Sequence, residues 1–324
     1  MHTVHRLFER VTSLENLAAA WREARRGKRF RPAAAAFELG LGLELVTLSE
    51  ELSAETWTPG PYRILRLFEP KRRLIAAAPF RDRVVHHALC RHLIPPLSRS
   101  FVHHSYACRP GKGTHRAVLR HLELTRRWRF RCHLDVRAFF ASVDIDLLSA
   151  VVARTVRDRR ALGLLSRILE HGLSVYTDSK ALAWLGLPFR ARRGLPIGNL
   201  TSQHLANVFL DGVDHHLERV VKVPGYLRYM DDLTLFGNDR VGLEAAARAT
   251  AEYLASARRL ELKHEPKVQS TGRPVTYLGW RVSREGARLD PGTLERIGRR
   301  ARALRSHPEV RVERALASWM GLRL

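Results

Sequence analysis

Three features of the 324-residue chain point to an α+β architecture. Several segments repeat apolar residues at helical spacing. Two short regions, 130–136 and 225–237, instead carry the alternation or paired β-prone runs of strands. The two kinds of element do not alternate strictly, as a purely parallel α/β sheet would require. Length alone suggests about two domains at roughly 150 residues each, or one enlarged by insertions.

From the N-terminus, Leu14, Leu17, Trp21 and Ala24 recur at helical spacing, so helices are predicted to about residue 48. Pro59, Gly60, Pro61 and Pro70 predict turns and short strands over 57–70. An amphipathic helix is expected over 81–97, with Val84, Val85, Ala88, Leu89 and Leu93 on one face and Pro95-Pro96 ending it. In 130–136, Phe130, Cys132, Leu134 and Val136 point one way, while Arg131, His133 and Asp135 point the other. This is a half-buried strand with a carboxylate on its polar face. Asp144 should cap a helix from about Ile145. A turn at 194–199 leads into a long helix marked by Leu205, Phe209 and Val213. Two apolar runs around Asp231-Asp232 predict a hairpin over 225–237. A helix at 243–259 and a strand at 275–282 follow. Asp290-Pro291 opens a last helix with Leu294, Ile297, Ala301 and Leu304 on one face.

Charge narrows the function. Fifty-six Lys and Arg against 32 Asp and Glu leave +24, while 45% hydrophobic residues suffice for a core. Disorder is thereby excluded for most of the chain, and a polyanionic partner is expected, nucleic acid first. Arg outnumbers Lys 49 to 7, a skew that a GC-rich coding sequence also produces. Three widely spaced cysteines, Cys90, Cys108 and Cys132, form no metal or disulfide pattern and suit a reducing cytoplasm. The longest run without Asp, Glu, Lys or Arg, 194–210, is too polar to span a membrane, and no signal peptide is expected.

Adjacent aspartates at a hairpin tip repel each other, and a divalent cation relieves that repulsion. Magnesium prefers hard oxygen ligands. Asp135, on the polar face of a neighbouring strand, would complete with Asp231 and Asp232 a site for two ions roughly 3.5–4 Å apart. Taken alone, Asp-Asp is usually an exposed turn. Asp144 and Asp146 read as helix-start residues. Adjacent histidines (His86-His87, His103-His104, His215-His216) do not share a helix face and make poor chelates.

Tyr229-Met230-Asp231-Asp232 resembles the Y-x-D-D signature of reverse transcriptases, and Leu134-Asp135-Val136-Arg137-Ala138-Phe139-Phe140 resembles the first palm motif of that family. Similar blocks, in the family's order, are Asp82 to Leu89, Ser105 to Gly113, Leu195 to Gln203 and Tyr277-Leu278-Gly279-Trp280. The resemblance runs from about residue 70 to 282. Its Ile197-Gly198-Asn199-Leu200-Thr201-Ser202-Gln203 version is similar to reverse transcriptases of diversity-generating retroelements. Group II intron-like, retron or phage-defence branches are alternatives, as is an inactive basic RNA-binding protein.

The resemblance implies a right-hand polymerase fold: an N-terminal helical extension (1–60), fingers and palm (61–282), and a short helical thumb, whole or truncated (283–324). It implies RNA-templated addition of dNMP to a DNA or RNA primer, with Mg²⁺ as cofactor (two ions, Mn²⁺ able to substitute). Asp135, Asp231 and Asp232 would be catalytic, and these three with Val136 would form the metal set. Lys71, Arg72 and Arg73 resemble fingers residues that grip the triphosphate, a solvated basic face being the alternative for Lys71 and Arg72. Phe140 would exclude a ribose 2′-hydroxyl, unless it or Phe139 is simply a core ring. Ile197, Gly198 and Gln203 would contact nucleotide or template, Gly198 by letting the backbone approach closely, with a helix-surface Gln as the alternative for Gln203. Lys267 stands where the family often has a lysine that protonates pyrophosphate. Tyr277, Leu278, Gly279 and Trp280 resemble the primer grip, with a core strand as the alternative. A small basic accessory protein usually assists such enzymes, and no membrane partner is expected. The segment 290–324 carries eight Arg against four acidic residues, suited to a thumb along a duplex.

Overall fold

In the computed structural model, residues 3–68 and 71–305 are described. In chain order the elements are α1 (Phe8–Thr12), α2 (Leu14–Ala24), α3 (Pro32–Leu39), α4 (Leu41–Ser53), β1 (Arg63–Leu67), β2 (Arg73–Ala77), α5 (Phe80–Ser98), α6 (Thr114–Arg127), β3 (Phe130–Asp135), α7 (Phe139–Ser142) and α8 (Ile145–Ala153). There follow α9 (Arg159–Leu173), α10 (Ser179–Leu185), α11 (Leu200–His216), β4 (Gly225–Tyr229), β5 (Asp232–Gly237), α12 (Arg240–Arg258), β6 (Val268–Ser270), β7 (Val275–Tyr277), β8 (Trp280–Val282), β9 (Ala287–Leu289) and α13 (Pro291–Arg305). Helices and antiparallel strands mix, as an α+β chain should.

The chain divides into two compact units. The first takes residues up to 101, 137–212 and 254–261. Its N-terminal helices pack on α5 through Leu17, Leu48, Leu52, Val84, Leu89 and Leu93, all at most 1% exposed. Asn16 joins them by donating from Nδ2 to the Val11 and Ala88 carbonyls. The two-stranded sheet β1–β2 belongs to this unit. Asp144 and Asp158 cap α8 and α9, each accepting a backbone N–H three residues on, the arrangement that satisfies an orphan donor at a helix start. Asp146 is ion-paired with Arg192.

The second unit takes 102–136, 213–253 and the chain from 262 onward. A four-stranded antiparallel sheet in the order β4-β5-β3-β6 forms its centre, beside a three-stranded sheet β7-β8-β9. Helix α6 packs against β4 and β8. Leu124, Leu227, Phe236, Tyr277 and Val282 form the core there.

Four expectations change. Helix α5 runs through Pro95 and Pro96 to Ser98. Both prolines fall in its last turn, and buried Leu93 and Leu97 draw that turn onto the core. The expected strand at 275–282 is the hairpin β7–β8, broken where Leu278 and Gly279 take φ of +48° and +83°. On β3 the polar face is not wholly solvated, because Arg131 is 2% exposed. In α13, Leu294 is 51% exposed and so lies off any buried stripe. Residues 306–324, which carry much of the basic segment, lie outside the described residues. No single described helix is long and apolar enough to cross a membrane, although α3 and α4, bent by 88°, pass that test as a pair.

Candidate active site

The β4–β5 hairpin sets two of the three aspartates. Tyr229 pairs with Asp232, leaving Met230-Asp231 as a two-residue turn. Met230 has φ +55°, a left-handed conformation that normally selects Gly or Asn and costs a side-chain-bearing residue about 1–3 kcal/mol. A buried anchor offsets that cost. Arg228 and Asp214, 1% and 0% exposed, form an ion pair. Arg228 Nε donates to Asp214 Oδ1 at 2.9 Å, its Nη2 to Ser105 Oγ at 3.0 Å and its Nη1 to the Met230 carbonyl at 3.1 Å. The guanidinium thus ties the turn's backbone to α11 and to the segment before α6. Backbone bonds from Arg228 N to His104 O and from Tyr106 N to Arg228 O, each 2.9 Å, fix the same segment beside β4. Nothing in the residue pattern alone marks Asp214 as the partner, since helical spacing shows only that it lies on α11.

Asp135 ends β3 directly opposite Asp232 on β5. Facing positions of an antiparallel pair bring Cβ atoms to about 4.5–5.5 Å. Two carboxylates so placed on one face repel unless a cation lies between or beside them. His133, two residues back on that face, brings Nδ1 to 3.3 Å from Asp232 Oδ1. The Asp135 carbonyl accepts from Lys263 N at 2.8 Å, and neighbouring Val136 is buried. Hard oxygen donors in this register suit magnesium in kind. As the side chains stand, no group of three or more His, Cys, Asp or Glu among the described residues is closed around a metal position.

Other expected residues fall on several elements. Lys71 and Arg73 are exposed at the start of β2. Arg72 donates to the Trp184 carbonyl at 3.1 Å and lies 5.9 Å from that ring's centroid. Phe139 is a core ring, 2% exposed, whereas Phe140 beside it is half-buried. Ala76 N donates to the Ile197 carbonyl at 2.7 Å. Gly198, at φ +118°, crosses β2 so closely that a Cβ would meet Ala76 O at 2.9 Å. The close approach that needs this glycine is therefore to the protein's own strand. Next to it, buried Asn199 donates from Nδ2 to Tyr62 Oη at 2.8 Å. Burial pushes the Tyr62 phenol up to about 12, so it stays protonated. Gln203 is exposed in the first turn of α11.

In the second unit Lys267 is exposed just before β6. The block 277–280 forms the β7–β8 turn. Tyr277 is buried there, stacked on His121 with centroids 4.3 Å apart, and Trp280 meets His115 edge-on at 5.9 Å. A Cβ on Gly279 would lie 3.1 Å from Thr293 Oγ1, so the turn is fitted against α13. The His121 imidazole is held down to about 3 by burial, with the charges of Arg131 and His133 adding to the effect.

The chain is thus a strongly basic α+β protein whose antiparallel sheet ends in facing carboxylates. Residues 69–282 match the family described as reverse transcriptase (RNA-dependent DNA polymerase), well over half of the chain, and the protein belongs to that family. It is accordingly an RNA-directed DNA polymerase, a nucleotidyltransferase acting on template, primer and dNTPs. A search of curated proteins found no match.

Proposed function

We propose that this enzyme extends a primer on an RNA template through Asp135, Asp231 and Asp232, in a diversity-generating retroelement. The observation that carries the site assignment is the register of Asp135 opposite Asp232, with Asp231 in the adjoining turn, inside the family-matched segment. In this reading β1–β2 serves as fingers, the four-stranded sheet as palm and α13 as the start of a thumb.

Asp135, Asp231 and Asp232, with the Val136 backbone, would hold Mg²⁺. When bound, such ions activate the primer 3′-hydroxyl and stabilise charge on the triphosphate. The chain's own residues orient the substrates. Lys71 and Arg73, exposed at the head of β2, offer cations to the triphosphate, and Arg forks onto phosphate oxygens. Phe140, half-buried where Phe139 fills the core, would set its ring against a 2′-hydroxyl. Lys267 would give a proton to departing pyrophosphate, and Gln203 would offer an amide to a base or sugar.

The retroelement branch is supported by the Ile197-Gly198 to Ser202-Gln203 block, and it brings with it a template-repeat RNA and a small basic accessory protein. Primer extension with Mg²⁺ and dNTPs tests the whole reading. Asp231→Ala should abolish extension while RNA binding stays within about twofold, and errors should concentrate opposite template adenine. Extension by Asp231→Ala at the wild-type rate would refute the carboxylate assignment, and uniform errors would refute the branch.

A further inference from the structure

The N-terminal helices of the first unit present an apolar surface that no described residue covers. Phe30, Leu39 and Leu43 are 93%, 92% and 75% exposed, and Val46 follows at 42%. Phe30 precedes α3, Leu39 ends it, and Leu43 and Val46 lie on α4 past the bend at Gly40. Between Phe30 and Leu39 the exposed positions of α3 are Pro32, Ala33, Ala35 and Ala36, so no charge interrupts its outer face. The inner face is satisfied, with Ala34 and Phe37 buried and Phe37 edge-on to Phe80 of α5 at 5.4 Å. Large apolar side chains standing this clear of a protein in one neighbourhood mark an interaction surface.

Charge identifies what that face meets. Residues 25–31 read Arg-Arg-Gly-Lys-Arg-Phe-Arg, five cations around Phe30. The nearby acids are already committed, Glu23 to Arg91, Glu38 to Arg25 and Glu44 to Arg81. Arg26, Arg29 and Arg31 are exposed and enter no ion pair among the described residues. Such a concentration of like charge disfavours a second copy stacked on the same face. Phosphates of nucleic acid would satisfy the arginines but give Leu39, Leu43 and Val46 nothing to bury against. A lipid surface with anionic headgroups answers both, since apolar side chains enter the acyl boundary while Lys and Arg stay at the headgroups.

We propose that residues 25–46 form a docking face for an anionic lipid bilayer, contrary to the sequence-based expectation of no membrane partner. The eight residues of α3 rise about 12 Å, against a hydrocarbon core about 30 Å thick. The face therefore lies on the bilayer and does not span it. Phe30, Leu39 and Leu43 enter the boundary between headgroups and acyl chains, and Arg26, Arg29 and Arg31 rest on headgroup phosphates.

In the experiment the full chain is sedimented with vesicles of equal parts phosphatidylglycerol and phosphatidylcholine, and with vesicles of phosphatidylcholine alone. Leu39→Gln with Leu43→Gln keeps the net charge of +24, so adsorption by overall charge is the same in both proteins. Both side chains are exposed, and this variant should melt with wild type and extend a primer at the wild-type rate. Wild type should bind the anionic vesicles at least tenfold more tightly than the neutral ones. The leucine variant should lose at least tenfold in affinity for the anionic vesicles, and Arg26→Gln with Arg29→Gln and Arg31→Gln should lose as much. Should the leucine variant melt early, Phe30→Ser, outside any helix or strand, serves the same comparison. Equal vesicle binding by wild type and the apolar-face variant, unchanged affinity in the arginine variant, equal binding to both lipid mixtures, or no binding each overturns the proposal. Two other results reject it while vesicle binding is kept: RNA affinity lost with the leucines assigns the face to RNA, and a dimer dissolved with them assigns it to a second copy.

Discussion

Replacing Asp214 by Asn would leave the Arg228 guanidinium buried at 1% exposure without its counter-ion. Breaking one side of such a pair costs about 3–5 kcal/mol. At roughly 2–4 °C per kcal/mol for a chain of this order, the midpoint of thermal unfolding should drop by about 6–20 °C. Arg228 also donates to the Met230 carbonyl, and a hydrogen bond from a charged group is worth about 1.5–3 kcal/mol. Loosening it frees a left-handed turn that carries Asp231. Primer extension measured well below the melting range should therefore fall more than tenfold in kcat, with the KM for dNTP changed less. The double replacement Asp214→Leu with Arg228→Met separates the two effects. It should recover most of the stability, since apolar residues of similar volume tolerate such a site, but not the activity. If the double variant regained both stability and wild-type extension, the pair would be packing alone, and the positioning argument would be wrong.

Three further outcomes follow from the geometry. Gly198→Ala should cost at least about 1–3 kcal/mol, because φ +118° is closed to a side chain and the new Cβ would press on Ala76 O; a chemical-denaturation midpoint checks it. Phe140→Ala should admit ribonucleotides, narrowing the dNTP-to-rNTP ratio of kcat/KM at least tenfold, whereas Phe139→Ala should mainly lower stability by about 3–5 kcal/mol. Two buried histidines, His86 and His121, have folded pKa values lowered from 6.5 to about 3, mainly by burial. The unfolded chain then binds more protons between those values, so stability is fully present above about 6.5 and declines as pH falls toward 3. Their combined slope reaches up to about 2.7 kcal/mol per pH unit, measurable by urea unfolding at stepped pH.

Local signals in the sequence reached far. Alternation across 130–136 located β3, and the paired apolar runs located the hairpin, because period-two burial and a two-residue turn leave direct marks in the residue order. The capping roles of Asp144 and the entry to α11 were legible for the same reason. What escaped was set by contacts distant in the chain. Arg228 meets Asp214 and Ser105 across intervals that no spacing rule covers. Arg131 looks like a solvated strand residue until β6, β7 and α6 close over it. Gly198 passes close enough to β2 for a Cβ to meet Ala76 O at 2.9 Å, a contact across the chain that no local pattern announces. The break at 278–279 was invisible because Leu278 is no turn former, and it bends only where Gly279 lies against Thr293.

The Arg228 grip on the turn acts on a carbonyl, and every amino acid has one. The side chain at position 230 is therefore released from any duty of holding the two acids. Exchanges there that tolerate φ +55° should leave both acids seated.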